Sequence, residues 1–404
     1  MATKKERDTA ALEALDHFEI ELPSWGFADT GTRFGKFFQP AAASTTEEKF
    51  HDAGLVHKLT GACPSVAVHV LWDFDVDGDP AETAAIAEKH EVRIGSINPN
   101  VFQDQQYKLG SFCSPDAEAR ESALAHTLRS IEIGQAVGSD VLTMWLADGT
   151  NYPGQDSIRR RKQALQSAFG DIHDRMADTW PDATMLIEYK PFEPAFYHTD
   201  IADWGMSAAF CRHAGERAKV LVDTGHHLPG CNIEHIVAFL LDENLLGGFH
   251  FNDRKYADDD LTIGSIDPYQ LFRIFDQIAA WEHDTGERAE IEYMVDQSHN
   301  LKPKLEAMVQ TVMEAQKQFL RAHLVDREAL AKAQAEGDIV AAERCLKAAY
   351  EADVSGLLAD WRSVRNLDAD PLTALRESGI IEELAQKRTA AREARGETQS
   401  ASYA

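Results

Sequence analysis

Polar side chains that could bind a metal ion follow four apolar runs in the second half of the sequence. Each comes where a short hydrophobic stretch ends, which is where a buried strand would emerge from a core; they are Glu188 with Lys190, Asp223 with His226, His250, and Asp296. Carboxylate oxygens with one imidazole nitrogen suit Mn²⁺, Mg²⁺ or Co²⁺. Because burying unpaired carboxylates is costly, Glu188, Asp223, His250 and Asp296 together predict a metal site.

A second group of candidate ligands comes from the turn after Asp223 and from an acidic run further along. His226 is separated from Asp223 by Thr-Gly, and Asp258 and Asp260 are two residues apart in an Asp-Asp-Asp run, so that both could face one ion. Two ions sharing a bridging carboxylate would form a two-metal site. Taken singly, the acidic run also fits a solvated loop, a buried histidine also fits ordinary core packing, and Glu188 with Lys190 also fits an ion pair.

The remaining candidates suit proton transfer and sugar binding. His69 lies near a carboxylate in the run His69-Val-Leu-Trp72-Asp73, and a histidine in that setting can act as a general acid or base at neutral pH. Trp72 and Trp145 end two predicted strands, and Trp25 and Phe37 fall in early loops. Aromatic faces next to charged groups suit a sugar, although each aromatic residue also fits core packing.

A (β/α)8 barrel is the architecture that would position these residues. Eight short apolar runs alternate with helical patterns: His17–Leu22, Ser65–Trp72, Val92–Ile97, Asp140–Trp145, Thr184–Lys190, Ala218–Asp223, Gly247–Asn252 and Glu290–Asp296. Asp79–Pro80, Ser114–Pro115 and Asp267–Pro268 read as helix starts, and Gly138 reads as a helix end. A doubly wound sheet is the alternative, but no GxGxxG follows the first strand. In a barrel, catalytic groups come from the C-terminal ends of the strands.

After Asp296 the pattern becomes helical throughout. We therefore predict a catalytic barrel domain over residues 1–300, including an N-terminal loop segment, and an α-helical extension over residues 301–404. Breaks at Gly337–Asp338 and Asp370–Pro371 divide the extension into several helices, and its last twenty residues are polar and expected to be frayed or disordered. A helical tail of this kind should pack on the barrel or on another subunit.

Composition excludes several classes of protein. There are 67 acidic and 40 basic residues, which gives a net charge of −27 and argues against a nucleic-acid binder. No apolar run is long enough for a membrane span, and the charged N-terminus lacks the apolar core of a signal peptide. The five cysteines are scattered without CxxC spacing, which favours reduced thiols in the cytoplasm. Most of the acidic excess is typical of a soluble surface.

Five segments together resemble a known enzyme family. They are Pro23-Ser-Trp-Gly26, Ile187-Glu-Tyr-Lys-Pro-Phe-Glu-Pro-Ala-Phe-Tyr197, Leu221-Val-Asp-Thr-Gly-His-His227, Gly247-Gly-Phe-His-Phe-Asn-Asp253 and Val295-Asp-Gln-Ser-His-Asn300. The sequence is similar in these segments to L-rhamnose isomerases of the Pseudomonas type, which belong to the xylose-isomerase-like barrels. The similarity runs from about residue 17 to residue 380.

The resemblance implies a homotetrameric aldose–ketose isomerase with two divalent ions, most commonly Mn²⁺, with Co²⁺, Mg²⁺ or Zn²⁺ as alternatives. By position, Glu188, Asp223, His250 and Asp296 would hold the structural ion. His226, Asp258 and Asp260 would hold the catalytic ion, with Glu188 bridging. Lys190 would contact the substrate, His69 would lie near the ring oxygen, and the segment Thr32–Pro40 would reach the neighbouring subunit's site.

These observations lead to one favoured function and two alternatives. We expect interconversion of L-rhamnose and L-rhamnulose with broad sugar specificity; Lys190, His69, Asp258 and Asp260 would be catalytic, and Trp72, Trp145, Phe37 and Lys190 would bind the sugar. A metal-dependent ketose 3-epimerase, or another xylose-isomerase-like sugar isomerase, is the nearest enzymatic alternative. A non-catalytic sugar- or metal-binding protein is the alternative from a different class.

Overall fold

Eight parallel strands arranged as a barrel form the centre of the protein. The computed structural model describes residues 3–32, 35–75, 78–193, 197–256, 258–298 and 301–396. The barrel strands are β1 (Leu22–Pro23), β2 (Ser65–His69), β3 (Arg93–Asn98), β4 (Val141–Met144), β5 (Thr184–Glu188), β6 (Ala218–Asp223), β7 (Leu246–Phe251) and β8 (Glu292–Val295). Each pairs in parallel with the next along the chain.

The first and last strands are joined through the residue that precedes β1. The Glu21 amide donates to the Tyr293 carbonyl at 2.8 Å, and the Val295 amide donates to the Glu21 carbonyl at 2.9 Å. Val141, Leu186, Leu221 and Met294, from β4, β5, β6 and β8, form a buried apolar cluster of their own between the strands. This order and this packing confirm the predicted (β/α)8 barrel.

Helices surround the barrel and continue beyond it. They are α1 (Lys4–Leu15), α2 (Thr46–Thr60), α3 (Val70–Asp73), α4 (Pro80–Lys89), α5 (Ala117–Val137), α6 (Ile158–Thr179), α7 (Trp204–Ala214), α8 (Ile233–Asp242), α9 (Pro268–Thr285), α10 (Lys304–His323), α11 (Arg327–Glu336), α12 (Ile339–Tyr350), α13 (Ser355–Ser363), α14 (Pro371–Glu377) and α15 (Ile380–Ala394). Among the described helices, none combines the length and the apolar character needed to cross a membrane. Two short hairpins, Gly31–Thr32 with Gly35–Lys36 and Phe192–Glu193 with Tyr197–His198, lie outside the barrel.

Most helix boundaries follow the capping signals in the sequence. Asp79 and Asp267 cap α4 and α9, each followed by proline at the first helical position. Gly138 ends α5 in the left-handed conformation. The start of α5 differs from the prediction, because Asp116 rather than Ser114 accepts a hydrogen bond from the first helical turn. Ser114 instead receives a hydrogen bond from the Asp116 amide, two residues before the helix.

The C-terminal helices pack against the barrel, and they extend further than the polar sequence indicates. Helix α10 contacts α9, α1 and α2. Helix α15 continues to Ala394, so the prediction that the last twenty residues are frayed is wrong for its first ten; residues 397–404 lie outside the described part. The reason is that Arg388 is buried against Asp52, at 2.7 Å, and Arg392 donates to the backbone carbonyl of Ala42.

The buried Glu21 beside β1 occupies the space next to Gly95 of β3. The Glu21 carboxylate accepts hydrogen bonds from the Ser96 amide, and a Cβ at Gly95 would overlap its Oε2 atom. We therefore expect Gly95→Ala to lower the free energy of unfolding by about 1–3 kcal/mol, as overpacking does. The matched control is Gly170→Ala in α6, where a Cβ meets no heavy atom within 4 Å.

The control substitution should have the opposite sign. Alanine is the better helix former, so Gly170→Ala is expected to raise the free energy of unfolding by about 0.5–1 kcal/mol. Urea denaturation followed by circular dichroism would measure both variants. Equal free energies of unfolding for the two variants would contradict the conclusion that Glu21 leaves no room for a side chain at residue 95.

Candidate active site

A cavity of about 270 Å³ opens at the C-terminal ends of the barrel strands. Its lining contains most of the residues that the sequence singled out: Trp25, His69, Trp72, Trp145, Glu188, Lys190, His226, His250, Asp258, Asp260 and Asp296. Asn98, Phe102, Glu193 and Ser298 complete it. Asp223 lies behind this lining as a fully buried residue at the end of β6. The strands therefore bring together side chains that are more than two hundred residues apart in the sequence.

Four of these side chains form a compact group that could bind a metal ion. One ligand atom from each of Glu188, Asp223, His250 and Asp296 lies within 4.8 Å of the others. The four residues come from β5, from β6, from β7 and from the end of β8, as the sequence predicted. Glu188, Asp223 and His250 are buried, so water has little access to their charges.

The three carboxylates of this group outnumber the two histidines beside them, His226 and His250. Burial raises the pKa of Asp223 to about 7; the nearby His226 lowers it, while the Glu188 and Asp296 carboxylates raise it. Burial alone would also raise the pKa of Glu188, but the His250 and His226 imidazoles hold it at about 2. Burial raises the pKa of Asp296 as well. Glu188, Asp223 and Asp296 raise the pKa of the two imidazoles in turn, so that His226 and His250 carry the compensating charge when no ion is bound, and a divalent cation would take over this role.

The position of His250 provides a test of whether a metal ion fits. Its Nδ1 atom lies 3.2 Å from Glu188 Oε2 and 3.6 Å from Asp296 Oδ2. Yet within the described part of the chain neither ring nitrogen has a hydrogen-bond partner of acceptable geometry. A buried imidazole aimed between carboxylates without hydrogen bonding to them fits a metal ligand. The donor set, three carboxylates and one nitrogen, suits a hard divalent ion.

His226 contacts this group through Glu188, and Asp258 and Asp260 line the same cavity. His226 Nδ1 is 3.1 Å from Glu188 Oε1, and its Nε2 is 2.9 Å from Asp258 Oδ1. Burial and the Asp258 charge raise the pKa of Asp260 well above its usual value. Both aspartates have positive φ angles, 48° and 47°, which aspartate adopts more readily than most residues. The loop therefore brings both carboxylates to the cavity, as the sequence predicted.

Lys190 is held between two carboxylates at the side of the cavity. Its Nζ atom is 2.5 Å from Asp258 Oδ2 and 2.9 Å from Glu193 Oε2, and it lies 5.4 Å from the centre of the Trp145 ring. Burial would lower the pKa of Lys190, but Asp258 and Glu193 outweigh it and raise the pKa above its usual value. The side chain therefore carries a positive charge into the cavity at neutral pH.

Aromatic side chains form the opposite wall around His69. The His69 ring lies 4.0 Å from the Trp72 ring and 4.8 Å from the Trp25 ring, measured between centroids. Trp25 also donates a 3.0 Å hydrogen bond to Asp296 Oδ1, which joins this wall to the acidic group. Phe102 contacts the rings of both His69 and Trp145. Phe37 has 53% of its surface exposed and is not part of the cavity lining.

The Asp73 carboxylate, which lies near His69 in the sequence, forms its hydrogen bonds with groups other than the His69 ring. Asp73 accepts hydrogen bonds from the His69 backbone amide, from Ser24 and from Lys49, and its contact with His69 is therefore to the backbone rather than the ring. Burial, together with the nearby His250 and Lys49 charges, lowers the pKa of His69 to about 3. The ring is therefore neutral, and its Nδ1 has no hydrogen-bond partner among the described residues.

Two residues of the cavity lining, Glu193 and Phe102, were not identified from the sequence, although both contact residues that were. Glu193 pairs with Lys190, and Phe102 contacts His69 and Trp145. Glu193 stands within the quoted segment that starts at Ile187, three residues after Lys190, so spacing was a usable signal. Phe102 follows β3 in a loop without a distinctive pattern, and the sequence offered no comparable signal.

Comparison with known proteins places this barrel in a family. The family described as xylose isomerase-like TIM barrel matches residues 65–287, and the chain belongs to it. A probable sugar isomerase of Mesorhizobium japonicum is 37% identical over 96% of this chain and 91% of its own length. A probable sugar isomerase of Rhizobium meliloti is 37% identical over 92% of this chain and 87% of its own length. The chain is thus a xylose isomerase-like barrel that is similar, along most of its length, to two probable sugar isomerases.

Solved structures resemble the fold at low sequence identity. A D-allulose 3-epimerase of Methylomonas sp., in complex with D-allulose, superposes with a TM-score of 0.53 at 15% identity, over 74% of this chain and 97% of that one. An L-ribulose 3-epimerase gives a TM-score of 0.54 at 12% identity, over 76% of this chain and 98% of that one. These likenesses support the barrel architecture.

Proposed function

We propose that the protein is a metal-dependent aldose–ketose isomerase that interconverts L-rhamnose and L-rhamnulose and accepts related aldoses. One observation carries the proposal: the compact group of Glu188, Asp223, His250 and Asp296 adjoins the cavity that the charged Lys190 lines. The full-length similarity to two probable sugar isomerases supports an isomerase. The choice of L-rhamnose rests on the quoted sequence segments.

The proposed enzyme would bind two divalent ions. Mn²⁺ is the expected ion, and Co²⁺, Mg²⁺ or Zn²⁺ could replace it. Glu188, Asp223, His250 and Asp296 would hold one ion. Glu188, His226, Asp258 and Asp260 would hold the other. When bound, the ions supply Lewis-acid polarisation of the sugar carbonyl and offset the charge of the acidic side chains.

The chain's own residues account for sugar binding and for proton movement. Trp72, Trp145 and Phe102 offer aromatic faces to the C–H surface of a sugar. Lys190, protonated and held by Glu193, would donate a hydrogen bond to O1 and stabilise the negative charge that develops there. Asp258 or Asp260 would accept and return the proton that moves between O1 and O2. His69, neutral and with a free Nδ1, would assist ring opening at the ring oxygen.

A ketose 3-epimerase is the second candidate, and one observation favours it. Among the described residues, the compact ligand group accommodates a single ion, whereas His226, Asp258 and Asp260 are not part of it. An epimerase of this superfamily would need one ion and two carboxylates beside C3. Lys190, placed among the polar groups of the cavity, favours the isomerase, because epimerisation at C3 develops no charge that requires a cation at O1.

A product analysis distinguishes the candidates. The protein, loaded with Mn²⁺, would be incubated separately with L-rhamnose, D-allose, L-rhamnulose and D-allulose, and the products separated by chromatography. We expect L-rhamnose to yield L-rhamnulose, and D-allose to yield D-allulose more slowly. Conversion of the ketoses to their 3-epimers without aldose formation would establish the epimerase. Sugar binding without any product would identify a non-catalytic binding protein.

The proposal includes a homotetramer in the cytoplasm. The exposed Phe37, which follows the early hairpin, is available to a neighbouring subunit's site and supports the expectation that Thr32–Pro40 reaches it; residues 33 and 34 lie outside the described part. All five cysteines are free thiols, which supports a reducing compartment.

A further inference from the structure

Thr224, Gly225 and Asn252 take no part in the proposed chemistry, yet they surround Asp223, one of the predicted metal ligands. Thr224 and Gly225 follow Asp223 in the chain, and Asn252 comes directly after β7, two residues after His250. Asp223 is fully buried, so the direction in which its carboxylate points depends on the groups that donate hydrogen bonds to it.

The two oxygens of the Asp223 carboxylate have different surroundings. Oδ1 accepts hydrogen bonds from the Gly225 amide at 2.6 Å, from the His226 amide at 3.2 Å and from Asn252 Nδ2 at 3.0 Å. Oδ2 accepts one hydrogen bond, from the same Asn252 nitrogen at 3.2 Å, and it lies 3.9 Å from His226 Nε2 and 4.0 Å from His250 Nδ1. Oδ1 is therefore saturated with donors, and Oδ2 is the oxygen that faces the acidic group.

The backbone of Asn252 is held by Thr224, and its side chain lies against Gly225. Its backbone amide donates to Thr224 Oγ1 at 3.0 Å, and that hydroxyl donates to the Asn252 carbonyl at 2.8 Å. A Cβ at residue 225 would overlap Asn252 Oδ1, so the glycine leaves the space that the side-chain amide occupies. A flipped amide would place its oxygen against the Asp223 carboxylate, so only the orientation with Nδ2 towards Asp223 is favourable.

We propose that Asn252 is a positioning residue that fixes the Asp223 carboxylate so that Oδ2 faces the metal site. Thr224 and Gly225 hold Asn252 in place for this role. The inference rests on the proposed function, because it requires that Asp223 bind an ion. Groups that orient a metal ligand typically change metal affinity by about 10–100-fold when they are removed.

The test is Mn²⁺ affinity, measured by competition with a calibrated chelator, in the purified full chain and in Asn252→Leu. Leucine has a similar size but donates no hydrogen bond. We expect the Mn²⁺ dissociation constant to rise by about 10–100-fold. The matched control is Asn100→Leu, which removes another buried amide; its Oδ1 accepts from the Leu71 backbone and contacts none of the four ligands. That variant should bind Mn²⁺ as the wild type does.

The outcomes separate the inference from the function on which it rests. A folded Asn252→Leu with wild-type Mn²⁺ affinity would overturn the positioning role alone, whereas a wild-type chain that binds no divalent ion would overturn both. If Asn252→Leu does not fold, as judged by circular dichroism of the metal-free protein, Asn252→Ser replaces it. Unchanged affinity in the serine variant would likewise reject the role. A loss of affinity in Asn100→Leu equal to that in Asn252→Leu would point to general loosening and also reject it.

Discussion

Replacing Glu188 by glutamine is expected to lower aldose–ketose turnover by about a thousandfold, which corresponds to roughly 4 kcal/mol in the barrier. Glu188 lies close to both histidines, with 3.1 Å from Oε1 to His226 Nδ1 and 3.2 Å from Oε2 to His250 Nδ1. The amide keeps the shape of the side chain but removes the charge and replaces one acceptor by a donor. The substitution should therefore weaken the binding of both proposed ions.

The measurement is Mn²⁺ stoichiometry together with turnover, and the barrel offers a matched control. Glu21 is also a buried glutamate beside a barrel strand, but it lies at the opposite end and is bound by Ser96. Glu21→Gln is expected to change stability and to leave the number of bound ions unchanged. Equal Mn²⁺ binding by Glu188→Gln and wild type would contradict the assignment of Glu188 as a shared ligand.

Replacing Lys190 by methionine is expected to lower turnover by about 100- to 1,000-fold, the range seen when one group that stabilises developing negative charge is removed. The loss should fall mainly on kcat, because the charge on O1 is greatest in the transition state. Asp258 and Glu193 keep partial access to water, with 20% and 24% of their side chains exposed, so the fold should tolerate the loss of their cation.

Steady-state kinetics with the metal-loaded protein would measure this effect. Lys162→Met serves as the control, since Lys162 is an exposed lysine of α6 whose side chain bonds Gln166, away from the cavity. Its kinetics should equal those of the wild type. If Lys190→Met raised KM alone and kept kcat, Lys190 would only bind the sugar and would not stabilise the reacting oxygen.

The meeting of the four side chains of the compact group was predictable because each of them ends or follows an apolar run. In a parallel barrel the C-terminal ends of all strands meet at one mouth, so residues that end successive strands must come together. Glu188, Asp223, His250 and Asp296 satisfy this rule without further knowledge of packing. The strand pattern alone therefore sufficed for the fold and for the acidic group.

Features that depend on contacts between distant segments were not predictable in the same way. Phe102 reaches the cavity from a loop whose course depends on its neighbours. The Asp73 carboxylate turns from the His69 ring because Ser24 and Lys49, from other segments, bind it. In α15, Arg388 reads as a solvent-exposed charge in the sequence, yet it is buried against Asp52. Local pattern carries no information about such partners.

Metal-titrated turnover tests the central claim most directly. The chain would be stripped of metal with a chelator and dialysed, and formation of L-rhamnulose from L-rhamnose would be followed as Mn²⁺ is added back. We predict no turnover in the stripped protein and a rate that rises with ion occupancy until the sites are full. Undiminished turnover after stripping, or a fully loaded protein that forms no ketose from any aldose, would contradict the proposal that this barrel is a metal-dependent sugar isomerase.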